Sequence, residues 1–239
     1  MLPRTTEKSI PSQLYLSFNI ENIDSLFPGF ILGNFAVLHG STAVLPLSML
    51  LCIRAQLPSH LGGLESKVVF IDGGNTFRLY DISYTAQFLK LDPTEMLNRI
   101  FISRAFTAYQ LTSIILDKLP DVIDGYDSKL VIVSDMAGLF LDEDVPEREA
   151  RTIFNRLTSY LSRLAEESRI IIVATYFHHY KSRQDVFFEA VMCERADVVA
   201  SVKPSKHCQQ FVLEKHPFFR LGKATFHTEN LALTRFMEV

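Results

Sequence analysis

Two aspartates stand at the ends of apolar runs. Asp72 closes Val68-Val69-Phe70-Ile71, and Asp135 follows Leu130-Val131-Ile132-Val133-Ser134. A third run, Phe35-Ala36-Val37-Leu38-His39, leads into Gly40-Ser41-Thr42. Carboxylates, hydroxyls and a glycine at strand ends are the residue types that hold a metal ion and wrap a phosphate. A phosphate loop also needs a lysine for the β/γ charge and a hydroxyl on Mg²⁺. Gly40-Ser41-Thr42-Ala43-Val44-Leu45-Pro46-Leu47 contains no lysine, and Pro46 removes a backbone donor. A triphosphate at this loop would lack its main charge-assisted contact.

The elements that must carry these groups alternate. Residues 35–39, 68–71, 99–103, 130–133 and 169–175 read as strands, most of them continuous apolar runs of the kind buried on both faces of a parallel sheet. Helices are predicted over 45–56, 76–89, 109–119 and 147–167. The last shows one apolar face through Ile153, Leu157, Tyr160, Leu161 and Leu164. Beyond residue 196 the pattern becomes shorter strands over 197–202, 209–213 and 224–227. The fold class is therefore α/β, a mostly parallel sheet flanked by helices, with a C-terminal antiparallel strand extension. Residues 1–30 read as an N-terminal lead-in and 31–239 as a single domain.

At 239 residues the chain can build one large core, and 48% hydrophobic against 21% charged residues is ordinary globular composition. A net charge of -3 gives no overall basic character, so a nucleic-acid site must be a local patch. Cys52, Cys193 and Cys208 form no C-x-x-C pair and no zinc spacing. His178-His179 lacks partners at a recognisable spacing, so no metal site is expected. An odd cysteine count, no N-terminal apolar h-region and no run long enough to span a bilayer give the expectation of a cytoplasmic protein.

The stretch Ile71-Asp72-Gly73-Gly74-Asn75-Thr76-Phe77-Arg78 resembles a segment of the RecA/RadA recombinase superfamily. So does the ordered succession Gln56-Leu57-Pro58, Gly62-Gly63-Leu64, Arg104-Ala105-Phe106 with Gln110, Leu130-Val131-Ile132-Val133, and Arg163-Leu164-Ala165 before Ile170-Ile171-Ile172-Val173. The likeness is to archaeal RadA-like paralogues, covers roughly residues 30–230 and implies a RecA-like core. It also locates departures. Gly74 stands where the family has the glutamate that activates water. Ser134 stands where the Walker B aspartate would be, and Asp135 is one residue late, a shift that turns a side chain to the other face unless the strand end is rotated. If Gly40 is the first Walker A glycine, Leu45, Pro46 and Leu47 replace Gly, Lys and Thr; if Gly40-Ser41 is matched inside the loop, Thr42, Ala43 and Val44 do.

The resemblance with these departures implies a pseudo-ATPase: Gly40, Ser41, Thr42, Asp72, Gly74 and Asp135 are the residues of a degenerate nucleotide site, with no catalytic residue. No resident cofactor is expected, and ATP with Mg²⁺ only if the loop still binds. The implied partner is a RadA-type recombinase or another RecA-like paralogue, in homologous recombination and DNA repair. The alternatives are a weak ATPase using Asp135 or Asp72 for the metal, and a regulatory module outside DNA repair. Single-stranded DNA is a candidate ligand. Leu141-Asp142-Glu143-Asp144 is acidic where the family's first DNA loop would lie. Tyr176, Lys181 and Arg183 mark the second, where aromatics beside cations suit a single strand.

Overall fold

The computed structural model describes residues 14–177, 182–206 and 208–227. In chain order the elements are β1 (Tyr15–Leu16), α1 (Glu21–Asp24), β2 (Phe30–Ile31), β3 (Phe35–Gly40), α2 (Val44–Arg54), β4 (Lys67–Asp72), α3 (Leu79–Phe88) and α4 (Pro93–Asn98). There follow β5 (Ile100–Arg104), α5 (Ala108–Ser113), a π-helical stretch (Ile114–Lys118), α6 (Leu119–Tyr126), β6 (Ser128–Ser134) and α7 (Glu147–Ser168). Last come β7 (Ile171–Phe177), α8 (Arg183–Arg195), β8 (Val198–Pro204), β9 (Gln209–Lys215) and β10 (Gly222–Phe226).

Eight strands form one sheet in the order β10-β9-β8-β3-β7-β6-β4-β5. The six from β8 to β5 run parallel, and β9 and β10 extend the sheet antiparallel. This is the α/β architecture expected of a RecA-like core. Because side chains alternate along a strand, each central strand feeds both faces. Ala36, Leu38, Val68, Phe70, Leu130 and Ile132 pack into one apolar cluster with α2 and α3. Phe35, Val37, Val69, Ile71, Val131 and Val133 pack into the other, with α7 and α8. Two-sided burial is why the strands read as unbroken apolar runs rather than alternating ones.

Several boundaries differ from the sequence expectation, each for a local reason. Within the stretch read as a lead-in, Leu16, Phe18, Ile23, Phe27 and Phe30 are buried in the first cluster, and β1 pairs with β2. The helix expected to end at 119 runs on to Tyr126. Pro120 lacks the N–H that would close an ordinary turn, and the chain passes through the π stretch before resuming α6. α4 was not foreseen, although Asp92 caps it by accepting from Thr94 N and Pro93 occupies its first turn. α8 lies where the sequence reading assigns no element; Ser182 caps it by accepting from Asp185 N. Phe140, Phe154 and Phe188 meet with ring centroids 4.4–6.1 Å apart, joining a 3₁₀ turn at Gly138–Leu141 to α7 and α8.

Candidate functional site

Asp72 ends β4 with its side chain fully buried. Its Oδ1 accepts from Thr76 N at 2.7 Å and Thr76 Oγ1 at 3.2 Å. Its Oδ2 accepts from Phe77 N at 3.3 Å and from Arg104 Nε and Nη2 at 3.1 Å each. Both oxygens are thus held by protein donors. The arrangement shapes the turn after β4, which is why α3 starts at Leu79 rather than at 76. A ladder of hydroxyls continues across the strand ends: Thr76 Oγ1 lies 2.5 Å from Ser134 Oγ, and Ser134 Oγ 3.3 Å from Thr175 Oγ1. Thr175 Oγ1 also accepts from Asp135 N at 3.0 Å.

Asp135 follows β6 in a left-handed conformation, φ 52°, which Asp tolerates better than most residues. This is the rotation that a one-residue shift requires. It turns Asp135 toward the turn after β4. A Cβ at Gly74 would stand 2.6 Å from Asp135 Oδ2 and 2.7 Å from Asp135 Cβ. The aspartate side chain therefore occupies the space that the first carbon of a glutamate at 74 would need. A cleft of about 690 Å³ opens beside them. Asp135, Asp142 and Glu143 line it with Phe106 and the backbone of Gly73 and Gly74, and among the described residues its lining contains no Lys or Arg. Such a wall repels a polyphosphate.

The other half of the candidate nucleotide site lies at the end of β3, with β7 between it and β6. Only three residues separate Gly40 from the start of α2. Gly40 has φ +113°, and a Cβ there would meet Val202 O at 2.4 Å, so a side chain fits neither the backbone nor the space. Ser41 N donates to Val202 O, Ala43 N to Ser41 Oγ, Val44 N to Ser41 O and Leu45 N to Thr42 O. These are the N–H groups a phosphate cradle would present, and they are spent within the protein. Val44 and Leu47 are buried in the first apolar cluster, and Leu45 packs against it. Thr42 is exposed. The six candidate residues thus fall into two groups, Asp72, Gly74 and Asp135 together and Gly40, Ser41 and Thr42 apart.

Sequence reasoning passed over His39, the residue before Gly40. It is buried, with Nδ1 2.8 Å from Glu189 Oε1 of α8 and Nε2 2.9 Å from Glu214 Oε2 of β9. Glu214 also accepts from Ser201 Oγ at 2.5 Å and Lys203 Nζ at 3.3 Å. Burial pulls the His39 pKa down, but the bonds to Glu189 and Glu214 outweigh it, and the net shift is upward from 6.5. Burial raises Glu214, while Ser201, His39 and Lys203 lower it, and the net shift is downward from 4.5. A charged imidazolium donates from both nitrogens; a neutral one leaves a bare nitrogen facing a carboxylate. The His39 contribution is thus complete below 6.5 and lost as pH rises through its raised folded pKa. The Glu214 contribution is complete above 4.5 and lost as pH falls through its lowered one. Stability should therefore drop by roughly 1–2 kcal/mol on the alkaline side, and His39→Gln should flatten that limb. Urea midpoints at stepped pH measure this; an unchanged alkaline limb in the variant would refute it.

The two described DNA candidates, Tyr176 and Arg183, differ in exposure. Tyr176 is buried, its hydroxyl 2.5 Å from Asp185 Oδ1, and it offers no face on which a base could stack. Arg183 is exposed in the first turn of α8. Lys181 and His178-His179 lie outside the described residues. Among the described residues no group of three or more His, Cys, Asp or Glu side chains is placed to hold a metal ion, and no helix is long and apolar enough to cross a membrane.

A family model described as Rad51 matches residues 18–192. The chain is 34% identical over 142 residues to the DNA repair and recombination protein RadA of Aeropyrum pernix, covering 58% of this chain and 43% of that protein. It is 30% identical over 188 residues to the meiotic recombination protein DMC1 of Saccharomyces cerevisiae, covering 73% of this chain and 54% of that protein. The chain spans about half the length of the curated relatives it matches.

Proposed function

Since the chain belongs to the Rad51 family, we propose that it acts in homologous recombination and DNA repair as a non-catalytic paralogue. It binds a RadA-type recombinase or another RecA-like paralogue and tunes filament assembly. Single-stranded DNA is a candidate further ligand, with Arg183 an exposed cation to meet it. The relatives named for repair and recombination support the process; the accessory role rests on the site. One observation carries it: the Ser41, Ala43, Val44 and Leu45 N–H groups, at the turn from β3 into α2, are bonded within the protein, where a nucleotide-binding loop would leave them for phosphate. Phosphoryl transfer depends almost wholly on positioning and charge neutralisation, and this loop supplies little of either.

Calorimetry with ATP and Mg²⁺ on the purified chain tests the reading. No binding heat is expected, together with capture of the recombinase in a pull-down and a changed rate of strand exchange. Loss of both recombinase effects would refute the accessory role.

A second reading, a weak ATPase, draws on the left-handed turn that aims Asp135 at Gly74. It requires Mg²⁺-dependent turnover that disappears in Asp135→Ala. The first reading expects no turnover in either protein.

A further inference from the structure

Gly62 and Gly63 belong to no part of the nucleotide site, yet neither position admits a side chain. A Cβ on Gly63 would stand 2.1 Å from Leu57 O. Gly62 has φ +74°, and a Cβ there would stand 2.6 Å from Ser17 Oγ and 2.9 Å from Arg54 Nη2. The two glycines fold the loop after α2 tightly around the Arg54 guanidinium.

Arg54 is 4% exposed. Nε donates to Ser17 O at 3.3 Å, and Nη2 to Ser17 Oγ at 3.3 Å and to Leu61 O. Nη1 has no partner among the described residues, and Arg54 lines a cavity of about 510 Å³. Among the described residues no carboxylate forms an ion pair with this cation. Asp24 acts on it only through space, and Asp24 Oδ1 itself finds no hydrogen-bond partner among the described residues. A buried cation without a direct counter-ion is costly, and an anion arriving at its free edge recovers that cost.

The cavity specifies more than charge. Leu57, Leu61, Leu89 and Leu91 form its walls, with His60 and Asn19 also lining it. Its volume lies in the range of small-ligand sites. Nη1 keeps two N–H groups, from which a carboxylate can accept charge-assisted hydrogen bonds. The leucines favour an aliphatic group behind that carboxylate and disfavour a polyphosphate.

We propose that this cavity is a binding site for a carboxylate carried on a branched aliphatic group, seated on Arg54 Nη1 with its stem against the leucines. The site lies by the last turn of α2, remote from the Asp72 and Gly40 ends of the strands, and does not depend on the nucleotide reading. Two sources share this chemistry, a free aliphatic acid and the C-terminal carboxylate of a peptide ending in an aliphatic residue.

Calorimetry and thermal melting with three probes test it: 4-methylpentanoate, N-acetyl-leucine and N-acetyl-leucine amide. Either acid should bind and raise the melting temperature. The amide should bind roughly 10- to 100-fold more weakly, the factor for losing one charge-assisted bond. Tighter binding of 4-methylpentanoate identifies the free acid as the source; tighter binding of N-acetyl-leucine identifies a chain end. Arg54→Gln should abolish the preference for acid over amide. Because Arg54 also ties α2 to Ser17, Leu91→Trp serves as the second variant: it fills the cavity, leaves the guanidinium in place and should abolish binding of both acids. Equal binding of acid and amide, no acid binding at millimolar concentration, or undiminished binding in Leu91→Trp would overturn the proposal.

Discussion

Replacing Asp72 with alanine is expected to cost about 3–5 kcal/mol of folding stability, the range for removing one partner of a buried charged network. The carboxylate serves two backbone N–H groups, a hydroxyl and the Arg104 guanidinium from a fully buried position. Alanine strands all of them. Arg104 is 38% exposed at its side chain, so water recovers part of its loss; the Thr76 and Phe77 amides have less recourse. Asp72→Asn should fall between, because one carbonyl oxygen still accepts from Thr76 while the charge facing Arg104 is gone. Urea unfolding gives the number. A residue whose main business was a metal ion would leave the midpoint of the alanine variant nearly unchanged, and that outcome would remove the structural role argued for it.

Restoring the glutamate that the family resemblance places at position 74 should not restore hydrolysis. Gly74→Glu should instead destabilise the fold by about 2–3 kcal/mol, as overpacking does. The new Cβ would fall within 2.7 Å of Asp135 and 2.9 Å of Thr76 Cγ2, and the new carboxylate would face an existing one. Asp135→Gly should relieve both problems, since it empties the space and glycine accepts the left-handed backbone at 135. The double variant should therefore recover most of the loss, a coupling of about 2 kcal/mol in a double-mutant cycle. Neither protein should turn over ATP, because no lysine has returned to the loop after β3. Mg²⁺-dependent turnover in Gly74→Glu would overturn the reading that the loop after β3 cannot position a nucleotide.

The sheet was legible because its strands are buried on both faces, so Leu130-Val131-Ile132-Val133 and Ile170-Ile171-Ile172-Val173 announce themselves without alternation. The antiparallel extension was legible from the change of rhythm after residue 196. α8 was not: Val186, Phe187, Phe188, Val191 and Met192 sit among charged residues without one clear stripe. α6 was hidden by Pro120, which ends an ordinary helix and here only bends the hydrogen-bond ladder into a π turn. The glycine at 74 and the missing lysine were plain in the sequence. The backbone rotation at Asp135 was not, since nothing in Val133-Ser134-Asp135-Met136 encodes a positive φ by itself. His39 joins residues 150 and 175 positions away, a constellation that exists only once α8 and β9 are docked. Tyr176 matched an expected surface aromatic by position alone, and burial next to Asp185 gives it a different task.

Three phenylalanines packed edge-to-face and tilted tie three elements together. Phe140, Phe154 and Phe188 interlock, and Gln184 Nε2 fastens the start of α8 to Phe140 O at 3.1 Å. Close-packed rings transmit a shove rather than absorb it. The turn at Gly138–Leu141 and the start of α8 are therefore tied to each other through Phe154 in the N-terminal half of α7. A partner that displaces α8 at Arg183 is thus expected to shift Gly138 and Leu141 at the rim of the acidic cleft beside Gly74.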